Sequence, residues 1–132
     1  MPQMANITVK KNDGTTDITY TDMVPSAGDQ SPAVWRSNTV GQAAAFRPEL
    51  TCVSQANGPR TARRIGLKFT YPSLVTGGDG KVSISDKAIM EVSFLVPQGM
   101  LDADVNEAVS QGFNLLASPL IKDTVKAGFA PT

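Results

Sequence analysis

Residues 63–72, RRIGLKFTYP, alternate polar and apolar side chains almost without a break. Ile65, Leu67, Phe69 and Tyr71 leave one side of an extended chain, and Arg64, Gly66, Lys68 and Thr70 leave the other, because successive side chains point to opposite faces of a strand. A helix would scatter both sets around its circumference. The stretch therefore predicts a β-strand with a core on one side and a basic surface on the other. Residues 85–97, SDKAIMEVSFLVP, repeat the pattern: Ala88, Met90, Val92, Phe94 and Val96 alternate with Lys87, Ile89, Glu91 and Ser93. Two such strands require a sheet with one apolar face and one polar face.

Turn chemistry supplies the neighbouring strands. NITVKKNDGTTDITYT reads as two short strands around Asp13-Gly14, whose glycine provides the positive φ of a tight hairpin turn. DMVPSAGDQSP (22–32) is a loop by composition, AVWRSN (33–38) a short strand, and GQAAAFRP an irregular segment or strand. ELTCVSQ (49–55) and TARRIGLKFTYP (61–72) flank Asn57-Gly58-Pro59 and are expected to pair antiparallel across that turn. Gly77, Gly78 and Gly80 in SLVTGGDGKVS suit a flexible excursion; a phosphate-binding loop would need a following Lys-Ser/Thr and a helix, and neither is there.

From residue 101 the apolar period changes. Val105, Val109, Phe113 and Leu116 step at helical spacing with Asp102 or Asp104 available as N-cap, and a second helix opens on Ser118-Pro119 and stops at Gly128. Strands first and helices last indicate one α+β domain over 1–132: a hairpin in 1–21, an antiparallel sheet in 33–97 and two helices in 101–130. The second helix spans only roughly 15 Å, and a five-stranded sheet at about 4.8 Å per strand is wider than two such helices cover. A partner chain is therefore expected to supply the missing cover.

Charge narrows the function. The formal net charge is zero, yet residues 33–75 hold Arg36, Arg47, Arg60, Arg63, Arg64 and Lys68 against Glu49 alone, a local balance of +5, while residues 1–32 carry −2. A basic middle on an acidic body suits a polyanion-facing surface. The chain has no histidine and one cysteine, Cys52, expected to be a buried, inert thiol. Imidazole catalysis, a histidine-ligated metal and a structural zinc site are thereby excluded, and no nucleophile stands beside a base at a recognisable spacing. Asp102/Asp104 and Asp13/Asp17 read as helix-terminal and hairpin charges. No enzyme, cofactor or metal is expected. No apolar run approaches a membrane span and MPQMANITVKK lacks a signal-like apolar block, so a protein kept in the cytoplasm is expected.

Three stretches, VKKNDGTTDITY, AVW leading toward LTC, and NLLASPLIKDTVKAGFAP, resemble in order and spacing the coat proteins of the single-stranded RNA bacteriophages of the levivirus and allolevivirus type. The resemblance spans nearly the whole chain. It implies an N-terminal hairpin, a five-stranded antiparallel sheet and two helices interlocked with those of a partner in a dimer. It further implies assembly of dimers in the bacterial cytoplasm into a quasi-equivalent icosahedral virion shell, with the sheet facing packaged single-stranded RNA. The same face would hold a stem-loop at the replicase start and repress translation.

By this resemblance the RNA-binding positions are Thr51, Arg63, Arg64, Lys68, Lys87 and Glu91, and Gly77, Gly78 and Gly80 form the loop that adapts to quasi-equivalent contacts. Ala62 and Gly66 stand where relatives often carry hydrogen-bonding side chains, and Lys87 where several carry a stacking tyrosine. These departures weaken operator recognition more than general RNA binding. The competing readings are a cellular sheet-based module for single-stranded nucleic acid, against which stand the helical C-terminus and the 6% aromatic content, and a protein-binding structural domain.

Overall fold

The computed structural model describes residues 2–38, 43–56, 58–59 and 61–132. It comprises two compact units, residues 1–95 and 96–132. Six strands form the first: β1 (Ile7–Lys10), β2 (Asp17–Val24), β3 (Ala33–Ser37), β4 (Glu49–Ala56), β5 (Ala62–Thr76) and β6 (Val82–Pro97), which runs on into the second unit. They lie side by side in sequence order in one sheet, and the pairs from β1 to β5 are antiparallel.

The hairpin is thus part of the sheet, which has six strands where five were expected. The physical reason is that β2 pairs along both edges: Tyr20 is opposite Ile7 on one side and Ser37 on the other, and beyond a register irregularity between Asp22 and Val24 the strand still meets β3 at Val34. Two contacts fasten this junction from the N-terminal arm: Trp35 Nε1 donates to the Ala5 carbonyl at 2.8 Å, and Asn6 Oδ1 accepts from the Asp22 amide at 3.0 Å. The turn between β1 and β2 is built as its sequence predicts. Gly14 has φ +75, its amide reaches the Lys11 carbonyl at 3.0 Å, and the Lys11 amide reaches the Thr16 carbonyl at 2.8 Å. Ala44–Phe46 form one short 3-10 turn inside the segment expected to be irregular, whose Gly41 and Gln42 lie outside the described residues. Asn57 and Arg60 also lie outside them, while Gly58 and Pro59 occupy a turn between β4 and β5.

One side of the sheet is apolar. Ile7, Val9, Tyr20, Leu50, Phe69 and Met90 line a hollow of about 220 Å³ on it, and the Tyr20 and Phe69 rings meet edge to face at 5.9 Å. Burial pushes the Tyr20 hydroxyl pKa up, with Tyr71 adding to the shift. Cys52 lies on this side too, between Ala33 and Leu67; it is half-buried rather than buried, and desolvation raises its thiol pKa. Few side chains are enclosed: Tyr20, Ala33, Pro48, Ala62 and Pro72 are the buried apolar ones among the described residues, while Met90 and Tyr71 stay about half exposed.

In the second unit, α1 (Asp102–Leu116) and α2 (Pro119–Ala127) follow the predicted boundaries closely. The α1 N-cap is Leu101, not an aspartate; Asp102 and Asp104 sit in the first turn, where they complement the helix dipole. Ser118 caps α2 through its extended backbone, Pro119 occupies the first turn, and Gly128 ends the helix at φ +80 with its amide on the Thr124 carbonyl at 3.0 Å. Leu115, Leu120, Val125 and Phe129 are 62–80% exposed. Neither helix is long and apolar enough to cross a membrane.

Candidate nucleic-acid interface

Strand register decides which polar side chains share a face, because residues directly opposite each other in a ladder point the same way. Thr51 lies opposite Lys68, Val53 opposite Gly66, and Gln55 opposite Arg64. One row further along, Glu49 is opposite both Thr70 and Arg36, and Arg36 is opposite Thr21. These residues define the polar side of β2 to β5. Lys68 and Arg64, four residues apart on β5, are separated by about 13 Å.

The register of β4, which the short strand leaves open in the sequence, is settled: Thr51 and Val53 are on the polar side and Cys52 on the apolar side. On β6, Met90 lines the apolar hollow with Phe69, so its neighbours Ile89 and Glu91, and by alternation Lys87, leave the opposite side. All three are exposed.

Arg63 separates from this group. It is opposite Ala56 and shares the side of Ile65, and its Nη1 and Nη2 donate to the two carboxylate oxygens of Asp29 at 2.9 and 2.5 Å. That bidentate pair ties the 25–31 loop to β5 and pushes the guanidinium pKa still higher. The adjacent Gln30, at φ +67, donates its amide to the Ser54 carbonyl at 2.9 Å, so the loop covers the part of β4 that β3 no longer reaches. The strand cations of the basic window thus divide by face, Arg36, Arg64 and Lys68 on one side and Arg63 on the other, and the consecutive pair parts company.

The cations on the polar side also differ in their partners. Lys10 Nζ bonds Asp17 at 2.6 Å, and Arg36 Nη2 bonds Glu49 Oε2 at 3.0 Å. Arg64, Lys68 and Lys87 form no salt bridge among the described residues. Arg36, Glu49 and Gln55 also lie on the polar side and are not among the candidate positions read from the sequence, although alternation around Trp35 already places Arg36 on the side away from the apolar hollow.

The aromatic rings of Tyr20, Phe69 and Tyr71, and the Trp35 side chain, belong to the apolar side. Among the described residues, the polar side between β2 and β5 therefore offers cations and hydrogen-bonding groups but no ring to stack on a base.

Gly77, Gly78 and Gly80 form a tight turn between β5 and β6. The Gly77 amide meets the Lys81 carbonyl at 2.8 Å, the Gly80 amide meets the Gly77 carbonyl at 3.0 Å, and Asp79 Oδ1 accepts from the Lys81 amide at 3.0 Å. Of the three, only Gly80 has a positive φ, +79. No cluster of residues able to hold a metal ion is found among the described residues.

Comparison with solved structures places this architecture. A chain of the virus-like particle of Beihai levi-like virus 21 superposes with a TM-score of 0.81 at 21% identity, covering 99% of this chain and 98% of that one. The chain has the coat-protein fold of the single-stranded RNA bacteriophages. The virus-like particle of bacteriophage NT-214 matches at a TM-score of 0.83 and 17% identity over 99% of this chain and 100% of that one. The capsid protein of bacteriophage GA matches at 0.74 and 20% over 96% and 95%. No protein-family model and no curated protein matches the sequence. At these identities the likeness is one of fold: the architecture is shared end to end while about four in five side chains differ.

Proposed function

We propose that this chain is the coat protein of a single-stranded RNA bacteriophage, which dimerises, assembles into a closed shell and packages RNA against the polar side of its sheet. The observation that carries the reading is the end-to-end likeness to chains that build virus-like particles. Apolar surface supports the self-association. Met90 and Tyr71 on the sheet and Leu120, Val125 and Phe129 in the helical unit stay exposed, and the 37 residues from 96 to 132 are too few to bury an apolar stripe by themselves. A second copy, contributing helices to a shared sheet, covers both. Gly77, Gly78 and Gly80 would then lie at contacts between dimers.

Arg64, Lys68 and Lys87 neutralise phosphate in this reading, with Thr51 beside them and Glu91 limiting how closely the strand edge is approached. Arg63 stands apart from them through its pairing with Asp29. Recognition of a replicase stem-loop would use Thr51 and Gln55 as hydrogen-bonding groups rather than ring stacking. The protein so described works in the host cytoplasm and ends in the virion, with RNA and its own copies as partners and no catalysis or cofactor.

Electron microscopy of the protein expressed alone, with the absorbance of nuclease-treated material at nucleic-acid and protein wavelengths, tests the proposal. Closed shells holding nuclease-protected RNA are expected. Small particles free of RNA would overturn it and favour a protein-binding role for the sheet.

A further inference from the structure

Resting on the RNA-facing role of the polar side, we infer that Glu49 sets the number of phosphates this face holds by withholding Arg36 from RNA. Arg36 and Glu49 are directly opposite on β3 and β4, in the row next to the one that carries Thr51 and Lys68. Their side chains are 24% and 35% exposed, so both are reached from the polar side. The bond between them engages one guanidinium nitrogen and one carboxylate oxygen, at 3.0 Å. Arg36 Nε is buried and has no hydrogen-bond partner among the described residues. A guanidinium has five N–H donors in a planar fork, and among the described residues a single contact to a single oxygen holds it.

The consequence is electrostatic. With Glu49 ionised, Arg36 presents a neutral pair to an approaching polyanion, whereas Lys68, one row away, presents a full charge. Glutamine at position 49 keeps the shape and an acceptor oxygen but removes the charge, so the guanidinium becomes available to a phosphate. Each additional phosphate contact on a single strand steepens the dependence of log affinity on log salt by about 0.7, which makes binding fall roughly threefold further between 50 and 200 mM salt.

The test titrates a fluorescein-labelled uridine homopolymer with RNA-free full-length protein across that salt range, for the wild type, Glu49→Gln, and Glu49→Gln combined with Arg36→Gln. Circular dichroism verifies the fold of each, and Arg36→Met replaces Arg36→Gln if the latter does not fold. The expected result is tighter binding and a slope steeper by about 0.7 for Glu49→Gln, returning to the wild-type slope when Arg36 is also removed. An unchanged slope in Glu49→Gln, or a steeper slope that survives loss of Arg36, overturns the inference while leaving RNA binding intact. A wild type that shows no salt-dependent binding overturns the RNA-facing role itself and this inference with it.

Discussion

The two halves of the polar face differ in how their cations are used. Across β1 to β4, Lys10 is bound to Asp17 and Arg36 to Glu49, so that half spends its positive charge on its own carboxylates. Across β5 and β6, Arg64, Lys68 and Lys87 stand without such partners among the described residues. Counting cations along the chain would treat the halves alike; counting those without a salt bridge among the described residues singles out β5 and β6, the half proposed to face RNA. The exposed Lys10–Asp17 pair contributes little to stability, because solvent screens it and two side chains must be ordered. The shared effect of the two pairs is to subtract charge from the surface.

The sharpest way to break this comparison is to exchange the halves' losses. Replacing Arg64 and Lys68 together by alanine should reduce the RNA content of particles and make the salt dependence of RNA affinity shallower by about 1.4, two single-strand phosphate contacts. Lys10→Ala should leave both unchanged. Equal effects from the two changes, measured by anisotropy and by particle absorbance, would erase the distinction.

The turns that close the halves should behave alike in stability and differ from their neighbours. Gly80→Ala forces a Cβ into a backbone at φ +79 and should cost about 1–2 kcal/mol, read as a lowered midpoint in urea. Gly78→Ala meets open space at an ordinary φ and should stay within about 0.5 kcal/mol. A large loss from Gly78→Ala would instead assign that glycine to the quasi-equivalent contacts proposed for it.

A smaller effect is expected from the exposed Lys10–Asp17 pair, whose side chains are 59% and 54% accessible. Lys10→Ala should cost about 0.2–1 kcal/mol and less at high salt.

The smallest and most local change is with pH, and it touches the paired half alone. The Asp13 carboxylate accepts from the Thr16 hydroxyl and from the Thr16 and Thr15 amides, which lower its pKa to about 2 from an ordinary value of 3.8. A depressed pKa means that the turn's stabilisation is complete above the ordinary value and is lost as pH falls through the folded one. The Thr15 and Thr16 amide resonances should therefore hold steady down to pH 3.8 and move with a midpoint near 2. A midpoint at the ordinary carboxylate value would detach Asp13 from those hydrogen bonds.

Much of this architecture was legible before any coordinates. The period of two in RRIGLKFTYP and SDKAIMEVSFLVP names the faces of β5 and β6, Asp13-Gly14 names the hairpin turn, and Ser118-Pro119 with Gly128 brackets α2, because each signal is local: a pleat, a positive φ, a missing N–H. The same local reading misjudged Cys52, which is half-buried rather than enclosed, since burial depends on what lies above a strand. It also kept the hairpin apart from the sheet, since the pairing of β2 with β3 runs through an irregularity that no residue pattern announces.

What the sequence by itself determined, then, is which side chains point together along each strand, since backbone geometry leaves no other choice. What only the tertiary structure decided is which charges remain free. Arg36 meets Glu49 thirteen positions away, and Arg63 meets Asp29 thirty-four positions away. Arg64, adjacent in sequence, meets neither, because pairing depends on register between strands and on the path of a loop, and distance along the chain carries no record of either.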